Sequence, residues 1–169
     1  MLSQTLLKEL NEQIKYEFAS ANYYLAMAAY FADQGLEGFQ NFFLVQADEE
    51  RFHAMKFFNF IDELGGRVNI SGYDDPKNDF ASIEEVFQLA LKHEEFVTDR
   101  IHKLLDVAKQ ENHHPTISFL QWFVDEQVEE EATMQGVLDK LKLAGNAGPG
   151  LLFLDSELGS RTFTPPAAE

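Results

Sequence analysis

Glu50 and His53 stand three residues apart in a stretch typical of a helix, and this spacing points a carboxylate and an imidazole at one ion from a single helix face. The chain contains no Cys, which excludes thiolate zinc sites, iron–sulfur clusters and Cys nucleophiles. A formal net charge of −16 favours cations as partners and argues against nucleic acid and anionic membranes. Oxygen and nitrogen ligands leave iron, manganese, calcium and magnesium as candidates.

Three other long stretches of the chain carry similar residues at comparable positions. Apolar residues recur along each stretch at alternating steps of three and four, as a bundle helix requires, but each apolar seam is interrupted near its middle. The interruptions are Glu17, Glu50, His53, Glu94, Gln127 and Glu130. The carboxylate and amide positions lie about 12 to 15 residues from the helix starts, or roughly 18 to 22 Å along each helix. In antiparallel helices these positions meet at one level, so we expect them to converge inside the bundle.

Clustered Gly and Pro residues mark where the four stretches begin and end. The predicted helices run from Ser3 to about Asp33, from Glu37 to Leu64, from Ser82 to about Asn112, and from Pro115 to Ala144. Ser82 and Glu85 are spaced as a capping box. The connection over 65–81 is much longer than a helical hairpin needs, whereas the other two span a few residues. The sequence therefore predicts an all-α four-helix bundle with a long crossover between helices two and three.

A short apolar segment over Leu151–Leu158 predicts a fifth helix, and the chain from Thr162 to Glu169 has the composition of a loose tail. At 169 residues the chain is long enough for one domain with a sizeable core. We expect residues 1–145 to form the bundle and 146–169 to belong to the same domain. No segment is apolar enough to cross a membrane or to act as a signal peptide, which predicts a cytoplasmic protein.

The converging carboxylates require positive charge. Burying four of them without compensation would cost several kcal/mol each, comparable in sum with a domain's stability of about 5 to 15 kcal/mol. No Lys or Arg occupies a seam at that level. Two divalent cations would balance Glu17, Glu50, Glu94 and Glu130, with His53 as a neutral nitrogen ligand, so the seams predict a dinuclear metal centre. Tyr24 lies one heptad after Glu17, where a hydrogen bond to a carboxylate and a redox or gating role both remain open.

At these residues the sequence resembles the ferritins, specifically the prokaryotic haem-free type, over nearly the whole chain. The resemblance implies a ferritin-like bundle in a homo-oligomeric cage of 24 subunits that oxidises Fe(II) with dioxygen and stores Fe(III) mineral. It implies a first iron on Glu17, Glu50 and His53. The second iron would bind bridging Glu50 with Glu94, Glu130 and Gln127. Hydrogen peroxide remains open as an alternative oxidant.

The resemblance implies a third metal site near the dinuclear pair. Its residues would be Glu49, Glu126, Glu129 and the shared Glu130. Glu126, Glu129 and Glu130 share one helical stripe by their spacing. Haem is not expected, since Arg51 occupies the position after the bridging Glu where a haem-ligating Met stands in bacterioferritins. His93 and His102 are expected at the surface or at interfaces.

Other functions fit the residues less well. A di-iron oxidase or a rubrerythrin-like peroxidase without mineral storage is the main alternative, but it would usually carry a second Glu-x-x-His, where this chain has Gln127 and Glu130. A purely structural bundle predicts uninterrupted seams. Twelve-subunit mini-ferritins place their metal site between subunits. Off-seam aromatics, among them Phe42, Phe52 and Phe58, exceed what one bundle core would bury and favour subunit contacts.

Overall fold

The computed structural model describes residues 2–166, and this part of the chain consists of five α-helices joined by loops, without a β-strand. The helices are α1 (Gln4–Asp33), α2 (Glu37–Glu63), α3 (Ile83–Gln110), α4 (His114–Ala144) and α5 (Pro149–Leu158). Helix α1 packs along α2, and α3 along α4, with a further contact between α1 and α3. The predicted all-α bundle with a long crossover and a short fifth helix is confirmed.

Serine caps determine where two of the four long helices begin. The Ser3 hydroxyl accepts a hydrogen bond from the Leu6 amide at 3.0 Å, and Ser82 accepts from the Glu85 amide at the same distance. The second half of the predicted capping box differs, because the Glu85 carboxylate accepts from the amide of Ala81, at 2.5 Å, rather than from that of Ser82. The α5 helix begins two residues earlier than predicted, at Pro149, whose fixed φ suits a first helical turn.

The apolar core is divided into two clusters by a polar layer at mid-helix. One cluster contains Tyr24, Phe31, Phe39, Phe43, Phe87 and Met134 with their neighbours. The other contains Leu10, Ile14, Phe57, Ile61, Ile101 and Phe123 with theirs. Along every long helix, the predicted seam interruptions fall between the residues of the two clusters. The two clusters therefore hold the four helices together on both sides of the polar layer.

Helix α5 is attached to α2 by polar contacts in addition to apolar packing. The N-cap residue of α2, Leu36, provides no side-chain hydrogen bond. Instead Asp155 of α5 accepts hydrogen bonds from the amides of Gly38 (2.9 Å) and Phe39 (3.0 Å). Its carboxylate thus satisfies backbone donors at the α2 N-terminus, where negative charge is also favoured by the helix dipole.

This packing changes one expectation about the off-seam aromatics. Phe42 was expected to contact another subunit, but its side chain is buried within the chain against Phe43 and Phe87. The expectation is wrong for Phe42 because residues of α5 extend the same apolar cluster over this face of α2. Phe52 and Phe58 are only half-buried.

Part of the predicted loose tail packs against α2. Phe163 packs on Phe52 with their ring centroids 5.6 Å apart. Residues 167–169 of that tail lie outside the described residues. None of the helices described is long and apolar enough to cross a membrane.

Replacing Gly38 with Ala should detach α5, because a Cβ at this position would lie 1.6 Å from the backbone carbonyl oxygen of Asp155. We expect Gly38→Ala to lower the free energy of unfolding in urea by about 1 to 3 kcal/mol. The matched control is Gly136→Ala, since Gly136 lies inside α4 with nothing within 4 Å of the added Cβ. This variant should gain about 0.5 to 1 kcal/mol from helix propensity. Equal stabilities for both variants would contradict the close contact.

Candidate metal centre

Six polar side chains from the four long helices meet in the layer between the two apolar clusters. They are Glu17 of α1, Glu50 and His53 of α2, Glu94 of α3, and Gln127 and Glu130 of α4. None is more than 4% exposed. The structure therefore brings the six predicted residues together in the interior.

Glu17, Glu50 and His53 form the tightest group. Each offers one ligand atom, and these atoms lie within 4.8 Å of one another. His53 Nδ1 lies 3.7 Å from Glu17 Oε2 and 3.6 Å from Glu50 Oε2, too far for good hydrogen bonds. Glu17 Oε2 is buried and has no hydrogen-bond partner. A buried carboxylate oxygen facing another carboxylate and an imidazole fits a cation that would coordinate all three.

Glu94 and Glu130 are each hydrogen-bonded to neighbouring side chains. The Tyr24 hydroxyl donates to Glu94 Oε1, and Gln127 Nε2 donates to Glu94 Oε2 at 3.1 Å. Gln46 Nε2 donates to Glu130 Oε2 at 2.5 Å. Among the residues described, Glu50, Glu94 and Glu130 do not present one oxygen each within 4.8 Å of the others. Binding of a second ion by these three would therefore require the carboxylates to move from their present partners.

The residues predicted for a third site are only partly assembled. One ligand atom each from His53, Glu126 and Glu130 lies within 4.8 Å of the others. Glu129 is exposed and joins no such group in the part of the chain that the structure describes. Glu49 is paired instead with Arg161, whose Nη2 lies 2.6 Å from its Oε2. Residue spacing does not predict this pair, since Arg161 follows α5, far along the chain from Glu49.

Burial governs the protonation of the carboxylates. It raises the pKa of Glu94 to about 7, with the Tyr24 and Gln127 hydrogen bonds opposing the rise. Burial and the nearby Glu94 charge raise the pKa of Glu130 to about 8 and place that of Glu50 well above its usual range. These groups retain protons near neutral pH because several carboxylates cannot all be charged together in a buried site.

The charge of His53 is favoured by the same carboxylates. Burial alone would lower the pKa of His53, but the adjacent Glu17 and Glu50 raise it well above its usual range. For Glu17, burial opposes ionisation, yet the neighbouring His53 leaves the pKa below its usual value. The pair can thus share one proton that an arriving cation would displace.

Sequence reasoning missed three polar residues of this layer. Gln13 Nε2 donates to Glu17 Oε1 at 2.9 Å, and Gln46 supports Glu130. Gln46 lies on the α2 seam one turn before Glu50, and that position was its only signal. His93 was expected at the surface or at an interface; the structure places it half-buried on α3 against α1, 2.7 Å from the Ser20 hydroxyl. Burial lowers the pKa of His93 to about 4, so it is neutral.

The chain is similar to ferritins in both sequence and fold. The family described as Ferritin-like domain matches residues 7–144. A bacterial non-heme ferritin of Staphylococcus aureus is 45% identical over 163 residues, covering 96% of this chain and 98% of the relative. The open-pore ferritin of the hyperthermophilic archaeon Archaeoglobus fulgidus superposes with a TM-score of 0.94 at 45% identity, covering 96% of this chain and 100% of that one. A form of that ferritin engineered to be closed gives 0.95 at 46% identity, covering 97% and 100%.

The protonated carboxylates predict a pH-dependent stability in the chelator-treated protein. Between pH 4.5 and about 8 Glu130 keeps a proton when folded that it loses when unfolded. Its stabilising contribution is therefore complete below pH 4.5 and is lost as pH rises through about 8. We expect the free energy of unfolding to fall with pH across this window. Glu130→Gln should reduce the fall by on the order of a few kcal/mol, because an amide does not titrate.

The matched control is Asp125→Asn, because Asp125 is an exposed carboxylate on the same helix. Urea unfolding at fixed pH values would measure each slope. A slope that is unchanged in Glu130→Gln, or reduced equally in both variants, would contradict a raised pKa at Glu130.

Proposed function

The chain belongs to the ferritin family, which supports iron storage and Fe(II) oxidation as its general function, and on this basis we propose a specific mechanism. Each subunit would oxidise Fe(II) with dioxygen at a dinuclear centre inside its own bundle. The Fe(III) product would be stored as mineral in a homo-oligomeric cage of 24 subunits. The observation that carries this proposal is the convergence of buried Glu17, Glu50 and His53 with Glu94 and Glu130.

We propose that the first iron binds Glu17, Glu50 and His53, whose ligand atoms are already close together. Little rearrangement is required for this ion, because the three side chains face one another in a buried space. The Glu17 oxygen that has no hydrogen-bond partner would coordinate the ion, and the proton shared between Glu17 and His53 would be released. Binding is therefore expected to release protons.

The second iron would bind Glu50, Glu94 and Glu130, with Gln127 alongside. Glu94 and Glu130 must lose their protons and turn away from the amides of Gln127 and Gln46. Because this step costs hydrogen bonds, we expect weaker binding than at the first position. A weak, oxygen-dominated position suits iron that passes through to storage. Tyr24 would act as a positioning residue by holding Glu94 through its hydroxyl.

A third metal position near Glu49, Glu126 and Glu129 would share Glu130 with the second. The nearness of His53, Glu126 and Glu130 supports an ion on this side of the dinuclear centre. Glu129 is exposed, so it would serve ions arriving or leaving rather than a buried position. We propose that this protein binds no haem.

Exposed apolar side chains support the oligomeric part of the proposal. Leu143, Phe153 and Val128 are 90%, 74% and 70% exposed, so they are free to contact other copies of the chain. Contacts with other copies of the chain would cover them. We propose that residues 1–145 and 146–169 form one domain, since Asp155 connects α5 to the α2 N-terminus.

Aerobic addition of Fe(II) to the purified protein tests storage. We expect loading of hundreds of irons per particle, because a mineral grows only if oxidised iron leaves the centre. Absorbance, sedimentation and electron microscopy would measure it, and an anaerobic series with hydrogen peroxide would identify the preferred oxidant. Saturation at two irons per chain without mineral would contradict storage and favour a di-iron oxidase or peroxidase.

The ligand assignment predicts an unequal effect of Glu130→Ala. Anaerobic Fe(II) titration should show the first iron retained, because Glu17, Glu50 and His53 remain. The second iron should weaken by at least the roughly 10- to 100-fold seen on losing an outer-shell partner. Asp125→Ala on the same helix is the control and should leave both ions unchanged. Equal loss of both ions in Glu130→Ala would contradict the assignment.

A further inference from the structure

The chain after α5 turns back along α2 and places the guanidinium of Arg161 beside Glu49, a residue of the predicted third metal site. Asn41 Nδ2 donates hydrogen bonds to the backbone carbonyls of Leu158 at 3.2 Å and of Arg161 at 3.0 Å. These contacts fix the backbone of Arg161 beside α2, two turns before Glu49. The side chain then reaches Glu49, with 2.6 Å between Arg161 Nη2 and Glu49 Oε2.

The Arg161 and Glu49 pair is more protected than an ordinary surface ion pair. The two side chains are 21% and 15% exposed, and the guanidinium carbon lies 4.4 Å from the centroid of the Phe42 ring. Arg161 Nη1 is buried without a hydrogen-bond partner. A charge-assisted hydrogen bond in such partial shelter is stronger than one in open water. Glu49 is therefore the main polar partner of the guanidinium.

We propose that Arg161 is a positioning residue that holds Glu49 and weakens cation binding at the third metal position. The inference rests on the third position of the proposed function. A cation that binds Glu49 must either displace the guanidinium, which costs the ion pair, or remain beside it, which costs charge repulsion. Both outcomes lower the affinity of the third ion. Arg161 would thus make this position a transit point instead of a permanent site.

The charges around the site agree with this role. The charges of Arg161, Glu126 and Glu129 act on Glu49, and that of Lys56 acts on Glu126. The Lys56 ammonium is 4.3 Å from the centroid of the Trp122 ring. Two cations thus flank the glutamates of the third position. A divalent ion that binds there is repelled by these two side chains. The dinuclear centre differs, because among the described residues no Lys or Arg forms an ion pair with its buried glutamates.

A cavity of about 300 Å³ provides access to this position. Its lining includes Glu49, Glu126 and Trp122 together with the segment that follows Arg161, including Phe163. A cation that reaches Glu49 from the cavity therefore passes the segment that carries Arg161. Trp122, the only Trp in the chain, lines this cavity, and its ring centroid lies 5.4 Å from that of His53, so its fluorescence responds to ions both at the cavity and at the dinuclear centre.

Zinc titration of the assembled protein tests the inference, because Zn²⁺ is not oxidised and does not form mineral. Calorimetry would give the number and affinity of the bound ions, and the ion lost in Glu49→Gln would be identified as the one bound at the third position. We expect Arg161→Gln to tighten the Glu49-dependent ion by about five- to tenfold, the size of one sheltered charge-assisted contact. The two ions of the dinuclear centre should be unchanged.

Three further variants separate this role from a structural one. Arg161→Lys keeps the positive charge but loses the planar guanidinium that lies on the Phe42 ring, so it should tighten the ion less than Arg161→Gln does. Lys140→Gln removes a cation that pairs with Glu157 of α5, away from the cavity, and should have no effect on the ion. In a Glu49→Gln background, Arg161→Gln should no longer change zinc binding, because the interaction between the two residues has already been removed.

The outcomes distinguish this inference from the proposed function. Unchanged affinity of the third ion in Arg161→Gln would overturn the role of Arg161 and leave the proposed function standing. An equal gain in Lys140→Gln would overturn it too, since net charge would explain the effect. Absence of a third ion in every variant, with two ions still bound, would overturn both the third position and the role of Arg161.

Discussion

The structure depends on one constraint, which is that charged carboxylates buried in the middle of a helical bundle must be compensated. Glu17, Glu94 and Glu130 each accept a hydrogen bond from a buried Gln, and Glu50 lies beside His53. Amides orient carboxylates but carry no net charge, so they cannot balance the buried negative charges. Protons do so in part at neutral pH, and cations would do so fully. The two apolar clusters offset the unfavourable free energy of burying this layer, since they hold the helices together on either side of it.

The compensation changes with distance from the centre of the bundle. In the interior, protons and amide hydrogen bonds stabilise the carboxylates that would bind the proposed iron ions. At the edge of the bundle, Glu49 is compensated by the fixed charge of Arg161, which depends on the attachment of α5 to α2. Proton release can favour metal at the interior positions, whereas a guanidinium cannot be deprotonated and opposes it. An ion bound weakly at the edge would therefore exchange more readily than an ion bound at the centre.

Much of this arrangement could be predicted from the sequence because helix periodicity is regular. The depth of Glu17, Glu50, Glu94 and Glu130 along their helices followed from counting residues, and the structure places them in one layer. Contacts from outside the periodic pattern could not be predicted. Asp155 and Arg161 reach α2 through the path of the chain around α5, and no spacing rule connects them to Gly38 or Glu49. The ligation of metal by these residues stays a prediction.

Anomalous diffraction at the iron edge, from crystals soaked anaerobically with Fe(II), tests the central claim most directly. The account predicts two iron peaks inside each bundle. One would lie among Glu17, Glu50 and His53, and the other would lie among Glu50, Glu94 and Glu130 with weaker occupancy. A single peak in the bundle, or iron bound only at surface carboxylates, would contradict a buried dinuclear centre.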